Sequence, residues 1–261
     1  MTLPTITKLE LIAKLKAIRD SGWIKNTRGA NNGAVGNMLE DLLGIPENNL
    51  PIANAAEWEL KTQRSTTSSL VTLFHSEPSP TSLKIVPKIL LPDYGWSHAK
   101  AGNEYDIEEK SFRQTIRAGL ISDRGFTINV NSEEEKIEVI FDFDKIEDTH
   151  IDWRYSLASR NLQKLQLNPY WGFNDVTHKA GTKLRNCFFV IANTQKINSI
   201  EHFHYNKIYM LSNFSHEKFI YAVKQGKIFI DFDARTGHNH GTKFRIKNSN
   251  IVDLYDTALE I

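Results

Sequence analysis

One cysteine in 261 residues excludes an intramolecular disulfide, and with it the disulfide-stapled scaffolds of small secreted chains. That cysteine, Cys187, lies in the apolar run Asn186-Cys187-Phe188-Phe189-Val190-Ile191-Ala192, which reads as a buried strand rather than as the setting of a nucleophile. Long hydrophobic runs are missing as well. Lys8, Glu10, Lys14, Lys16, Arg19 and Asp20 interrupt the beginning of the chain, so neither a signal peptide nor a membrane span is expected, and the expected location is the cytoplasm. An excess of one charge is also absent: 32 Lys and Arg face 31 Asp and Glu, for a net charge of +1. This excludes a uniformly basic surface while leaving room for a local basic wall. Low-complexity tails and long linkers are lacking. What remains, 40% apolar and 24% charged residues, suits one sizeable core with insertions, or a main domain with a smaller lobe.

The chemistry-bearing segment is Glu57-Trp58-Glu59-Leu60-Lys61-Thr62. In a strand, residues two apart share a face, so Glu59 and Lys61 project together while Trp58 and Leu60 pack behind them. A carboxylate there can hold a divalent cation, and the neighbouring ammonium can orient water or balance charge on a phosphodiester. Upstream, Val35, Met38, Leu39 and Leu42 recur at helical spacing, Gly44 supplies a stop, and the helix carries Glu40 beside its apolar stripe. Residues 7–20 form a second amphipathic helix on Leu11, Leu15 and Ile18. Between the two helices, Thr27 to Gly33 reads as a Gly- and Asn-rich loop in which Arg28 and Asn31 are candidate phosphate contacts.

Further along, Leu70 to Phe74 reads as a central strand, residues 83–104 as irregular, and Phe126 to Asn131 with Lys136 to Phe143 as a hairpin. Phe188 to Thr194 is another strand. Ser212 to Gln225 is expected to be helical, and Lys227 to Phe232 a strand with Ile228 and Ile230 on one side and Phe229 and Asp231 on the other. Phe141-Asp142-Phe143-Asp144 reads as a half-buried strand with a polar face, and Asp148, His150 and Asp152 are left out of the site. For His238 and His240 a DNA contact, a zinc site and a plain surface loop are all open, with no cysteine pair nearby to favour zinc.

The glycine-rich entry, Leu39-Glu40-Asp41-Leu42-Leu43, Glu59-Leu60-Lys61-Thr62, Ser69 to Phe74 and His238-Asn239-His240-Gly241-Thr242-Lys243-Phe244-Arg245-Ile246 together resemble the MvaI/BcnI family of type II restriction endonucleases, on its MvaI side. The likeness is strong over about residues 18–76 and 219–247 and loose between them. It implies an α/β fold with a PD-(D/E)XK nuclease core. A mixed central sheet would be flanked by helices, and catalytic and recognition lobes would form a DNA cleft. In domain terms, 1–80 would carry the nuclease motif, 81–185 a middle region of uncertain lobe, and 186–261 the recognition segment. Mg²⁺ (or Mn²⁺) would sit on Asn54 and Glu59, with Lys61 and Glu40 completing the catalytic set. Duplex DNA would be read by Asp231 and Arg245, with Asp233, Arg235, His238 and His240 nearby. The family also implies a monomer, a cognate DNA methyltransferase and a short GC-rich target.

Two positions depart from the family. Asn54 stands where the family carries its first metal-binding aspartate, and an amide oxygen coordinates Mg²⁺ without negative charge. Three explanations stay open: a natural Asn ligand, an inactivating Asp-to-Asn change, or replacement by Glu57, which shares strand parity with Glu59. Asp233 stands where the family has a second base-reading arginine, so Arg235, two residues on, becomes a candidate. The alternatives to a restriction enzyme are therefore a non-cleaving, sequence-specific DNA-binding protein on a nuclease fold and a MutH-like nicking repair endonuclease.

Overall fold

Thr7 and Glu10 start the first helix by exchanging hydrogen bonds: the Thr7 hydroxyl accepts from the Glu10 amide, and the Glu10 carboxylate accepts from the Thr7 amide. In the computed structural model, which describes residues 6–29, 31, 33–45 and 58–261, that helix is α1 (Lys8–Asp20), and β1 (Ile24–Lys25), α2 (Ala34–Leu43), β2 (Glu59–Arg64) and β3 (Val71–His75) follow. Next come α3 (Leu91–Tyr94), β4 (Trp96–Ser97), β5 (Lys110–Ile116), β6 (Arg124–Asn131), β7 (Lys136–Ile146), α4 (Ile151–Ser159) and β8 (Tyr170–Gly172). The chain continues through α5 (Phe173–Leu184), β9 (Asn186–Ile197), β10 (Ile200–Phe214), α6 (His216–Lys224), β11 (Ile228–Arg235), β12 (His238–Asn239), β13 (Lys243–Ile246) and β14 (Tyr255–Glu260). Asn54 and Glu57 lie outside the described residues. Among the described residues no helix is long and apolar enough to cross a membrane.

The chain divides into two compact units. The first takes Met1–Val71, Ala180–Lys218 and Lys247–Ile261; the second takes Thr72–Lys179 and Phe219–Ile246. The first unit is built on a five-stranded mixed sheet of order β1-β10-β9-β2, in which β14 also pairs with β10. Its β2–β9 ladder is parallel, pairing Glu59 with Cys187 and Lys61 with Phe189, whereas β10 runs antiparallel to its partners. Successive residues of this ladder point to opposite faces, and near Glu59 and Cys187 both faces are buried. Trp58, Leu60, Phe188 and Val190 face a core completed by Leu11 and Leu15 of α1 and by Val35 and Leu39 of α2. The phenol of Tyr205 crosses that core to donate to the Val35 carbonyl at 2.9 Å. Gly44 closes α2 at φ +72°, a left-handed conformation that disfavours any residue with a Cβ.

The second unit carries a six-stranded sheet of order β3-β13-β11-β5-β4, with β12 on β11, and a three-stranded sheet β6-β7-β8. Aromatic rings fill its interior: Phe244 stacks on Phe74 at 4.8 Å and meets Trp171 edge-on at 5.3 Å, while Phe112 meets Phe126 and Phe232 at 5.5 and 5.4 Å. Trp171 keeps its indole N–H satisfied by donating to the Ser76 carbonyl at 3.0 Å.

Three expectations need correction. Leu70 to Phe74 is no central strand: β3 is an end strand of the six-stranded sheet, its apolar character coming from the aromatic core on one face. Residues 83–104 are not irregular throughout, because a π-helical turn over Val86–Leu90 runs into α3. Pro92 lies in the first turn of α3, directly after that π-helical turn. The helix expected from Ser212 begins at His216, since Ser212 and Phe214 belong to β10 and pair with Thr257 and Tyr255.

Candidate functional site

In the first unit, β2 turns Glu59 and Lys61 to the face opposite the helical core, as strand parity requires. Only 3% of the Glu59 side chain is exposed, and its Oε1 accepts from Lys61 Nζ at 2.8 Å. Lys183, on the last turn of α5, stands 3.7 Å from the same oxygen. The other oxygen, Oε2, is buried and has no hydrogen-bond partner among the described residues. A buried carboxylate oxygen without a donor is costly, and it is the type of hard oxygen donor that a divalent cation takes. Among the described residues no three His, Cys, Asp or Glu side chains gather into a metal-binding group.

Cys187 lies beside Glu59 on β9 and is free and fully buried; burial pushes its thiol up to about 12, which removes it as a nucleophile. Burial raises the neighbouring Tyr255 phenol well above its ordinary range for the same reason. Glu40 is half-buried on α2, in the helical layer behind Trp58 and Leu60. Arg28 forks onto both oxygens of Asp41, whose carboxyl that contact lowers, and the Arg28 carbonyl accepts from Asn31. The Asn31 carbonyl in turn accepts from Arg64, which holds Glu201 through two nitrogens at 2.9 and 3.0 Å. The loop carrying Arg28 and Asn31 is thus tied to β2 and β10. It borders a cavity of about 480 Å³ lined by Asn26, Arg64, Lys196 and Glu201 among others.

In the second unit, β11 buries Ile228, Ile230, Phe232 and Ala234 and turns Phe229, Asp231, Asp233 and Arg235 outward in strict alternation. The outward carboxylates are each clamped from both neighbouring strands. Asp231 accepts from Thr115 at 2.8 Å on β5 and from Arg245 at 3.1 Å on β13. Asp233 is held by Arg113 at 2.8 Å and Lys243 at 2.9 Å. Burial alone would raise the Asp233 carboxyl, but the Lys243 hydrogen bond and the surrounding positive charges outweigh it and hold it below its ordinary value. Arg235 pairs with Glu109 at 2.9 Å and lies over the Tyr105 ring. The rings of His238 and His240 meet edge-on at 4.2 Å in an exposed loop. Gly241 turns that loop at φ +84°, and Glu77 anchors it by accepting the Thr242 amide at 2.9 Å.

The structure therefore brings Glu59 to Lys61, Asp231 to Arg245, and His238 to His240, as the motifs suggest. Sequence reasoning missed Lys183, Arg113, Thr115, Lys243 and Glu77. The i,i+2 spacing of Lys243 with Arg245 and of Arg113 with Thr115 was a readable signal; nothing local in the sequence ties Lys183 to Glu59.

An α/β chain whose mixed sheet carries a buried acid–lysine pair, and whose second unit displays a charge-paired sheet face, has the fold of a restriction endonuclease. It is similar to MvaI in complex with its cognate DNA substrate, with a TM-score of 0.75 and 21% identity over 96% of each chain. Against MvaI in the absence of DNA the TM-score is 0.53 with 19% identity, over 99% of this chain and 100% of the other. The model of the MvaI/BcnI restriction endonuclease family matches residues 12–255, and the chain belongs to that family. No curated protein matches the sequence significantly.

Proposed function

We propose that this chain is a type II restriction endonuclease that hydrolyses duplex DNA at a short GC-rich site, acting as a cytoplasmic monomer on a PD-(D/E)XK core and partnered by a cognate methyltransferase. The observation that carries this reading is the buried carboxylate of Glu59, one oxygen held by Lys61 and approached by Lys183, the other without a partner among the described residues. Family membership and the likeness to a DNA-bound MvaI support it.

Glu59 would hold Mg²⁺ or Mn²⁺ through Oε2, with Asn54 as the second donor, while Glu40, carried on α2 in the helical layer behind β2, would support the strand rather than touch the cation. The cation, when bound, makes coordinated water more acidic and draws charge from the phosphate. Lys61, fixed at 2.8 Å by Glu59, orients the attacking water. Lys183 brings a second positive charge to the same carboxylate and so to the phosphate oxygens on which charge develops.

Recognition falls to the β11 face. Arg245 offers guanine O6 and N7 a two-pronged donor, and Asp231 accepts from the amino group of cytosine, so the pair suits one G·C step. The two side chains are already paired with one another, which holds each near its reading position and makes reading an exchange of partners. Asp233 and Arg235, themselves ion-paired, flank that step. His238 and His240 reach the DNA from the Glu77-anchored loop, and Arg28 and Asn31 meet the phosphate backbone.

A second reading, a DNA-binding protein that does not cut, is favoured by one residue: Asn54 brings no charge to the cation. Asn54→Asp separates the two. A strong gain in Mg²⁺-dependent double-strand cleavage on phage DNA supports the nuclease; unchanged binding with no gain in cleavage supports the binding protein.

A further inference from the structure

The second unit contains a cavity that neither the Glu59 site nor the β11 face uses. It measures about 630 Å³ and is lined by Trp96, Lys110, Arg124, His150, Trp153 and Arg160, together with smaller residues and Asp152. Arg124 is among its lining residues, its Nη1 buried. The guanidinium lies over the ring of Trp96 at 4.0 Å and over that of Trp153 at 5.1 Å, so two aromatic faces fix its plane.

Its charge is not neutralised by contact. Nη1 of Arg124 is buried with no hydrogen-bond partner among the described residues, and so is the indole nitrogen of Trp153, a residue only 9% exposed. The adjacent carboxylate, Asp123, is bonded instead to His150 at 2.6 Å. The two other cations are oriented by neutral groups. Lys110 donates to the Pro92 carbonyl at 2.7 Å, and Arg160 donates to the carbonyls of Asp93 at 2.8 Å and Ser156 at 3.1 Å. Three cationic side chains thus line the cavity against the single lining carboxylate of Asp152, and two buried N–H donors lack an acceptor among the described residues. Burial pulls down the proton affinity of Arg124, and the nearby charge of Asp123 offsets this only in part.

We infer that this cavity is an oxyanion site for a phosphate group, seated between the Lys110 and Arg160 rim and the Trp-stacked guanidinium of Arg124. Phosphate fits better than a carboxylate because three cations against one acid match a multiply charged anion. Its oxygens also accept from several directions at once, which suits three cationic side chains lining one cavity. The cavity exceeds the volume of an isolated phosphate, so the group attached to the phosphorus has room. Two sources share this chemistry: a free phosphate compound and the backbone of a nucleic acid.

The test uses the full chain and two variants, Arg124→Gln at the Trp-stacked guanidinium and Arg160→Ala at the exposed rim, which does not threaten the core. Calorimetric titration with orthophosphate at constant ionic strength, chloride serving as the control anion, reads the free source. Binding of a random-sequence duplex over a series of salt concentrations reads the backbone source. For a free ligand, orthophosphate affinity falls about tenfold or more in Arg124→Gln and severalfold in Arg160→Ala. For a backbone contact, orthophosphate binds no better than chloride, and the salt dependence of duplex binding drops by about one counterion in each variant. Unchanged behaviour of Arg160→Ala in both titrations, with folded Arg124→Gln also unchanged, overturns the proposal.

Discussion

Replacing Glu59 by glutamine keeps the shape of the side chain and removes its charge, which makes it the sharpest probe of the first unit. With 3% of the Glu59 side chain exposed, its charge is compensated by Lys61 at 2.8 Å and by Lys183 at 3.7 Å. Removing one partner of a fully buried ion pair costs about 3–5 kcal/mol. Two features reduce that here. Lys61 and Lys183 retain 15% and 31% of their side-chain exposure and can hydrate once released, and Oε2, without a partner among the described residues, no longer has to be held charged away from water. The net loss for Glu59→Gln should be about 1–2 kcal/mol, or about 2–8 °C in Tm for a chain of this size. Divalent cation supplies the second arm. Binding to the native form alone adds about 2.7 kcal/mol at a hundred times Kd, so Mg²⁺ should raise the Tm of the parent chain and leave that of Glu59→Gln where it was. Thermal unfolding followed by circular dichroism, with Mg²⁺ and with chelator, reads both arms without reference to cleavage. An equal Mg²⁺ response in the two proteins, together with undiminished stability of the variant, refutes the idea that this carboxylate is the cation's seat.

Arg245→Ala should cut discrimination between cognate and altered duplexes by about 1–3 kcal/mol while leaving nonspecific affinity nearly intact, as competition binding would show; uniform weakening on every sequence would instead mark a phosphate contact. Cys187, with its thiol pushed up to about 12, should ignore an aromatic disulfide reagent at pH 8 in the folded chain and react once per chain in denaturant; rapid native labelling would contradict the packing of β9. Asp233 sits below its ordinary value of 3.8, so its contribution to stability is complete above that pH and is lost as pH falls through the lower folded value. Asp233→Asn should therefore flatten the acid limb of the stability profile below about pH 3.8, and a profile identical to the parent's would show the clamp to be idle.

What was legible in the chain was what repeats locally. Leu11 and Leu15, Val35 and Leu39, and the alternation from Ile228 to Arg235 announce helix and strand by period alone, and the side of β2 on which Glu59 and Lys61 fall follows from parity. β10 was illegible because a register shift between His204 and Lys207 breaks its alternation, and because polar residues such as His202, Asn206 and Ser212 punctuate it. β5 hid behind the polar run Arg113-Gln114-Thr115, whose outward members are neutralised by β11, a partner far away in the chain. Lys183 illustrates the same limit at the site. No spacing rule links α5 to β2; only the parallel β2–β9 ladder, with α5 leading into β9, carries that lysine to Glu59.

The scattered origin of the first unit has a consequence for the order of events during synthesis. β2, with its acid and lysine, leaves the ribosome early, yet its parallel neighbour β9 comes after most of the second unit has been made, and β14 closes the edge of β10 later still. Glu59 and Lys61 are thus translated long before most of the sheet that holds them. The five-stranded sheet around that pair stays incomplete until the residues of β14 emerge.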